Sequence, residues 1–172
     1  THYGVYKSVD EGQNWNLIQT PNDTLYQGRI MLANYKTNPK RVIAAYSDDF
    51  KTIAMMRSKD GFDSSNFYIP IKDISEHQGW YAKCLHIKDD DSSRIIMGGV
   101  DLYLDSTGTG NQFFNLLYWK IKIHADLHDI ISNPLDPNKI YIATDGGLFR
   151  SNDFAHSFYS CNHGYISAQF YT

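Results

Sequence analysis

Short apolar runs with interleaved polar positions recur along the whole chain, and turn residues interrupt each one before helical spacing can develop. Arg29 to Tyr35, Ala82 to Ile87 and His128 to Ile131 have the period-two alternation of a half-buried strand. Turn residues follow each of them: Asn38-Pro39, Asp89-Asp90-Asp91, and Asn133-Pro134 with Asp136-Pro137. A basic residue then opens a second run, at Arg41 to Ala45, Arg94 to Met97 and Lys139 to Ile142. A third run covers Gly4 to Tyr6, Ile53 to Met56, Leu102 to Leu104 and Gly147 to Phe149. A fourth starts at Trp15 to Ile18 and Phe113 to Leu116. The pattern predicts four short strands per unit and no helix.

Between the third and fourth runs a polar motif repeats. It reads Ser8-Val-Asp10-Glu-Gly12-Gln-Asn-Trp15 in full. Shorter copies are Ser58-Lys-Asp60-Gly61, closed by Phe67; Ser106-Thr-Gly108-Thr-Gly110, closed by Phe113; and Ser151-Asn-Asp153, closed by Phe158. The third copy lacks the Asp and the fourth lacks the Gly. The chemistry is that of a tight turn. An Asp carboxylate accepts from backbone amides two residues on, a Ser hydroxyl caps the same turn, and Gly12 tolerates positive φ. Trp15 is expected to bury its ring under the hairpin. These residues are read as structural, so Asp10, Asp60 and Asp153 are not taken as catalytic.

A four-stranded unit repeating roughly every 45–50 residues predicts an all-β propeller of four-stranded blades. The phase places half a blade at 1–20, blades at 28–72, 80–118 and 126–162, and the opening of another at 167–172. About three and a half blades do not close a ring, and an open arc would expose strand edges. The expectation is therefore a partial ring of a six- to eight-bladed propeller, completed by missing blades of the same or another chain.

The charge of the 172 residues narrows the partners. A formal net charge of −3, with Lys and Arg scattered, leaves no electrostatic footprint for nucleic acid. No apolar run is long enough for a membrane-spanning helix, and the scattering of Lys and Arg argues against a polybasic membrane anchor. The two cysteines, Cys84 and Cys161, are too few for a disulfide scaffold and are read as free, buried hydrophobes. No cofactor is implied.

The Ser-x-Asp-x-Gly-x-x-Trp spacing resembles the Asp box of sialidases and related propellers. Further segments sharpen the likeness: Gln78-Gly79-Trp80-Tyr81, Gly98-Gly99-Val100-Asp101, His124-Ala125-Asp126-Leu127-His128, Thr144-Asp145-Gly146-Gly147, then Asn162-His-Gly164-Tyr and Gln169-Phe-Tyr171. In that order they resemble the secreted bacterial BNR/Asp-box repeat proteins, which are glycosyl-hydrolase-like with sialidase-, xyloglucanase- or sortilin-type blades. The resemblance implies an extracellular or cell-surface location. The arginine triad and Arg-Ile-Pro motif of sialidases are not recognisable here, and the acid/base Asp pair of the endoglucanases has no matching positions.

Candidate ligand-binding residues are His124, Asp126, His128, Asp145, Trp80, Tyr81 and Trp119. On a strand, His124, Asp126 and His128 would share one face, as a polar cluster between blades, a substrate contact or, as the least favoured reading, metal ligands. Asp145 precedes two glycines at a turn, where it is a structural residue or a general acid/base. Trp80 and Tyr81 are either packing between blades or an apolar platform for a sugar ring. Trp119 sits in a longer connection that is a candidate binding loop. Two functions stay open: a glycan- or protein-binding and assembly module, and part of a glycoside hydrolase whose carboxylates lie partly outside this chain.

Overall fold

The computed structural model describes residues 4–18, 28–48, 50–63, 66–70, 73–107, 114–115 and 123–164. Among these residues the regular structure is all strand, as the alternation predicts. β1 (Val5–Lys7) and β2 (Asn16–Ile18) form a hairpin. The first four-stranded sheet contains β3 (Met31–Tyr35), β4 (Asn38–Ser47), β5 (Thr52–Ser58) and β6 (Asn66–Pro70). The second contains β7 (Cys84–Lys88), β8 (Asp91–Gly98), β9 (Leu102–Asp105) and β10 (Phe114–Asn115). The third contains β11 (Leu127–Asn133), β12 (Asp136–Thr144), β13 (Gly147–Ser151) and β14 (Tyr159–Ser160). Neighbours within each sheet are consecutive in the chain and antiparallel, so each is a simple meander. Residues 167–172, and with them the opening of a further unit, lie outside the described residues.

The sheets stand in series, face against face. β7 touches β3 on one side and β11 on the other. Alternate residues of one strand therefore enter two cores, as pleating requires. Ile95 and Met97 pack with Ile43, Ala45 and Met55 of the first sheet, while Ile96 packs with Ile130, Ile140 and Ile142 of the third. A further core joins Val5 of the hairpin to Ala44, Tyr46, Ala54 and Met56. Because strands are apolar on both faces, their central residues read as continuous runs rather than clean alternation.

The turn at Asn38-Pro39 is displaced from its expected place. The loop is Lys36-Thr37, and Asn38-Pro39 belongs to β4. Pro39 and Pro137 both fall in a shift of register, between the Tyr35↔Asn38 and Asn34↔Val42 pairs and between Asn133↔Asp136 and Ser132↔Ile140. A bulge needs no ladder donor from that residue, which is where a strand tolerates proline.

The third-to-fourth-strand turns share one hydrogen-bond plan. Ser8, Ser58 and Ser151 each donate from Oγ to the Asp two residues on, at 2.8 Å in all three. The same Oγ accepts the backbone N–H four residues on, from Gly12, Phe62 and Ala155, at 2.7–2.9 Å. Left-handed residues produce this geometry: Glu11 and Gly12, Gly61 and Phe62, Phe154 and Ala155 all have φ between +51° and +86°. Gly occupies one of the two places in the first pair and in the second, and neither in the last. Burial of Phe154 in the core between the second and third sheets compensates for the strain there. In the second and last of these turns the residue three beyond the Ser also bonds strand two of its sheet, Gly61 N to Lys40 O and Phe154 N to Asn138 O.

Three expectations need correction, two of them about these turns. In the second sheet the residue in register with Ser58 and Ser151 is Asp105, not Ser106, since Ile95 pairs with Asp105 as Val42 pairs with Ser58 and Ile140 with Ser151. Carboxylate and hydroxyl have exchanged places: Asp105 Oδ1 accepts from Thr107 N at 2.7 Å and Thr107 Oγ1 at 2.6 Å. Ser106 is exposed, and Gly110 lies outside the described residues. Trp15 does not bury its ring; it is 60 % exposed and donates from Nε1 to Gly12 O at 2.9 Å. Both cysteines are free, but only Cys84 is buried, Cys161 being partly exposed.

Candidate functional site

The end of the sheets opposite these turns gathers the other candidates. Here the first strands begin and the second-to-third-strand turns lie. A tight loop prepares the approach to β7: Asp73 Oδ1 accepts from Ser75 N and from Thr52 N of the first sheet, at 2.9 and 3.1 Å. Left-handed Glu76 and His77 follow, and Gln78 O accepts from Tyr81 N at 2.9 Å. Arg29 Nη1 donates to Tyr81 O at 2.9 Å. Gly79 N donates to Phe50 O at 2.6 Å, so close that only a glycine fits against the neighbouring turn. Trp80 is thereby left standing in solvent, 61 % exposed, with its ring centroid 5.4 Å from that of Tyr81.

Tyr81 reaches across to the third sheet. Its hydroxyl lies 3.1 and 3.0 Å from the two carboxylate oxygens of Asp145. His128, on β11, donates from Nε2 to Asp145 Oδ1 at 2.6 Å, and its ring meets Tyr81 edge-on at 5.2 Å. Asn162 holds the Asp145 turn from the far side: its Oδ1 accepts from Leu148 N and its Nδ2 donates to Gly146 O, both at 2.8 Å. The carboxylate of Asp145 is thus fixed in place, 22 % exposed, beside an open tryptophan.

His124, Asp126 and His128 do not form the single strand face that their spacing predicts. β11 begins at Leu127, and Asp126 is left-handed with φ +61°. The kink follows from backbone ties to both sheets. Asp126 N bonds Val100 O at 3.2 Å, Asp145 N bonds Asp126 O at 3.2 Å, and Leu127 N bonds Gly99 O at 2.8 Å. His128 turns to Asp145, whereas His124 lies over Gly146 with Nδ1 3.0 Å from Ala125 O. Among the described residues no group of three His, Cys, Asp or Glu side chains is placed to hold a metal ion.

Asp126 has its own chemistry. Its Oδ1 is shut off from solvent and has no hydrogen-bond partner among the described residues. Desolvation, and next the negative charge of Asp145, push its carboxyl above the ordinary range against the pull of His128 and His124. The arrangement therefore places a carboxylate fixed by hydrogen bonds, Asp145, beside one biased toward the protonated form, Asp126.

Of the sequence candidates, the structure brings together Tyr81, His128, Asp145, Asp126 and, at the rim, Trp80. Trp119 lies outside the described residues. Two contributors lie outside the set of candidate ligand-binding residues. Asn162, part of the Asn162-His-Gly164-Tyr segment, closes the turn from beyond β14, a role that its local pattern does not announce. Phe50, 59 % exposed, sits on the turn whose carbonyl holds Gly79. An aromatic residue inside a polar turn was its available signal.

No family model and no curated protein sequence matches the chain. Solved structures do. The GH74 enzyme of Niastella koreensis superposes with a TM-score of 0.73 at 18% identity, over 91% of this chain and 26% of that one. The GH74 xyloglucanase of Xanthomonas campestris gives 0.70 at 14% identity, over 95% of this chain and 28% of that one. YCF48 bound to D1 peptide gives 0.51 at 12% identity, over 78% of this chain and 40% of that one. The chain thus spans about a quarter of the length of the two GH74 enzymes. At such identities the likeness shows the fold: the meandering sheets are those of a β-propeller.

Proposed function

We propose that this chain is a segment of an extracellular Asp-box β-propeller whose lead-in end binds glycans. On this reading the hairpin is half a blade and the three sheets are blades of a larger ring, with the Ser-x-Asp turns serving as Asp boxes. The observation that carries the glycan reading is the pairing of exposed Trp80 with the fixed Tyr81–His128–Asp145 cluster. An indole face packs against the C–H surface of a sugar ring, while an oriented carboxylate accepts from vicinal hydroxyls. The likeness to a xyloglucanase and a second GH74 enzyme supports a neutral β-glucan as the first ligand to try. Titration calorimetry with xyloglucan oligosaccharides is expected to show binding that Trp80→Ala weakens by about tenfold or more, equivalent to about 1.4 kcal/mol. Unchanged affinity in that variant would remove the proposal.

A hydrolase is the second reading, and Asp126 favours it. A carboxyl displaced upward by desolvation beside a second, hydrogen-bonded carboxylate is the environment of a general acid. That reading expects release of reducing ends from the polysaccharide, abolished in Asp126→Asn with binding retained. A binding module releases none in either form.

A further inference from the structure

Strand register aligns one row of residues across every sheet. The row is Ala33–Ile43–Arg57–Phe67 in the first sheet and His86–Ile96–Leu104–Phe114 in the second. In the third it is Ile131–Tyr141–Arg150–Tyr159. The hairpin supplies the last two places with Lys7 and Asn16. Lys7, Arg57 and Arg150 each stand directly before the Ser that opens the third-to-fourth-strand turn.

In the first two sheets this row faces the next sheet. Ile43 packs with Leu85, Ile87 and Ile95, and Ile96 and Leu104 pack with Ile130 and Ile140. The cations of the row cross from the hairpin to the first sheet and from the first sheet to the second. Lys7 forms an ion pair with Asp63 of the first sheet. Arg57, half-buried, has Asp105 of the second sheet as its opposing charge. Leu104 carries no charge, and its seam is sealed by apolar contact.

The same row of the third sheet is uncovered among the described residues. Ile131 is 63 % and Tyr159 53 % exposed. Arg150 lies over the Tyr159 ring, its guanidinium carbon 5.9 Å from the centroid, and its Nε is closed off from solvent with no hydrogen-bond partner. Such a donor is costly to leave unmatched.

We infer that this face docks a further antiparallel sheet of the same repeat, and that Arg150 pairs with a carboxylate in that sheet's third-to-fourth-strand turn. The inference rests on reading the sheets as consecutive blades and is independent of the glycan site. Continuity supplies the geometry, because the row is already an interface twice over. Charge supplies the chemistry: Asp105 holds the first place of its turn and Asp63 the sixth, within reach of the cation on the preceding sheet. A planar guanidinium fork matches a carboxylate in two directions. A second copy of this chain fits less well, since its leading hairpin offers Ser8 and Gln13 at those two places, both uncharged.

The test places a photoreactive benzoyl-phenylalanine at Ile131 in the intact protein and sequences the peptide it captures. The expected capture is a segment of the next unit of the repeat, the one read as opening at 167–172, with Asp or Glu at the first or sixth place of that unit's turn. Capture of a second copy, of a unit lacking that acid, or of nothing would overturn the inference. With the partner acid known, Arg150→Glu should lower Tm by about 2–4 °C, and reversing the partner's charge should restore it. No change on Arg150→Glu would equally sink it. Loss of glycan binding in Trp80→Ala leaves this result untouched, so the two readings fail separately.

Discussion

At the end of the sheets that carries the Ser-x-Asp turns, Gly61 has φ +73° and nothing nearer than 3.8 Å to where a Cβ would stand. At the opposite end, a Cβ on Gly79 would lie 2.8 Å from Phe50 O and 3.1 Å from its carbonyl carbon, on the neighbouring sheet. One glycine supplies a conformation, the other an absence of volume. The contrast extends to the polar groups. Asp10 and Asp153, inside these turns, are satisfied within their own loops. The Asn14 backbone N–H first, then its side-chain amide and the Ser8 hydroxyl hold Asp10 down to about 2. Burial alone would raise Asp153, but bonds from Ser157, Ser151 and His156 outweigh it and its carboxyl lies below the ordinary range. The lead-in end instead satisfies its polar groups across sheets, as in Tyr81 to Asp145, or leaves them strained, as at Asp126. The turn end is a repeated local device, and the lead-in end is assembled once from distant pieces.

The contrast is tested most severely by placing the same methyl group at both ends. Gly79→Ala forces the Phe50 carbonyl away and breaks the bond that Gly79 N makes to it, a loss of about 3 kcal/mol or more. Gly61→Ala meets open space and incurs only the left-handed penalty, about 1 kcal/mol after the stiffer unfolded chain is counted. Urea midpoints for the two variants should differ accordingly. Equal losses would mean that both glycines are there for φ, and the distinction would collapse.

Lys83 sharpens the same contrast through pH. It is fully buried at the start of the second sheet and donates to Arg29 O at 3.0 Å, Ala45 O at 3.3 Å and Ser47 Oγ, all of the first sheet or its approach. Desolvation, then the charge of Arg29, lowers its amine from 10.5 to about 7. Between those values the unfolded chain holds the extra proton, so this residue's contribution to stability rises as pH increases from about 7 toward 10.5 and is flat below. The full swing is on the order of 5 kcal/mol. In Lys83→Met that slope should vanish. The variant should be clearly less stable than the parent at pH 9.5, and the gap should close or reverse at pH 6.5, read from urea unfolding at both. A gap that does not change with pH would show that the amine is not burdened by burial.

How much of this was legible follows from how local each feature is. The strands, their order and the Ser-x-Asp turns depend on residues within ten or so of one another, and the period-two runs and turn residues display them directly. The one-residue slip at Ser106 arose because Asp105 and Thr107 do the same hydrogen bonding with their roles exchanged, and a motif search keyed to Ser passes over it. The site was legible as a set of residues but not as a geometry. Spacing placed His124, Asp126 and His128 on one face, yet the backbone bonds from Asp126 and Leu127 to the Gly99–Val100 turn start the strand later and kink it. The bonds from Tyr81 to Asp145 and from Asn162 to Gly146 join positions 64 and 16 residues apart, which no local pattern encodes. Arg150 and its row emerged only from register, since the meaning of that residue lies in what Arg57 and Lys7 do elsewhere.

The smallest expected effect runs in the stabilising direction and belongs to the turn end. In the turn after β13 neither left-handed place is a glycine: Phe154 has φ +51° and Ala155 φ +71°. Phe154 is needed in the core, where it packs under the Arg94 guanidinium at 4.9 Å. Ala155 contributes a single methyl group, and the essential part of it is the N–H that bonds Ser151 Oγ, which glycine retains. Ala155→Gly removes a left-handed penalty of about 1–2 kcal/mol and gives back about 0.4–1 kcal/mol in unfolded-chain entropy, with a further part lost from burial of the methyl. A net gain of about 0.5 kcal/mol is expected, visible as a rise of about 1–2 °C in Tm. If the variant loses stability instead, the methyl group outweighs the conformation, and the turn end relies on packing in the same way as the lead-in end.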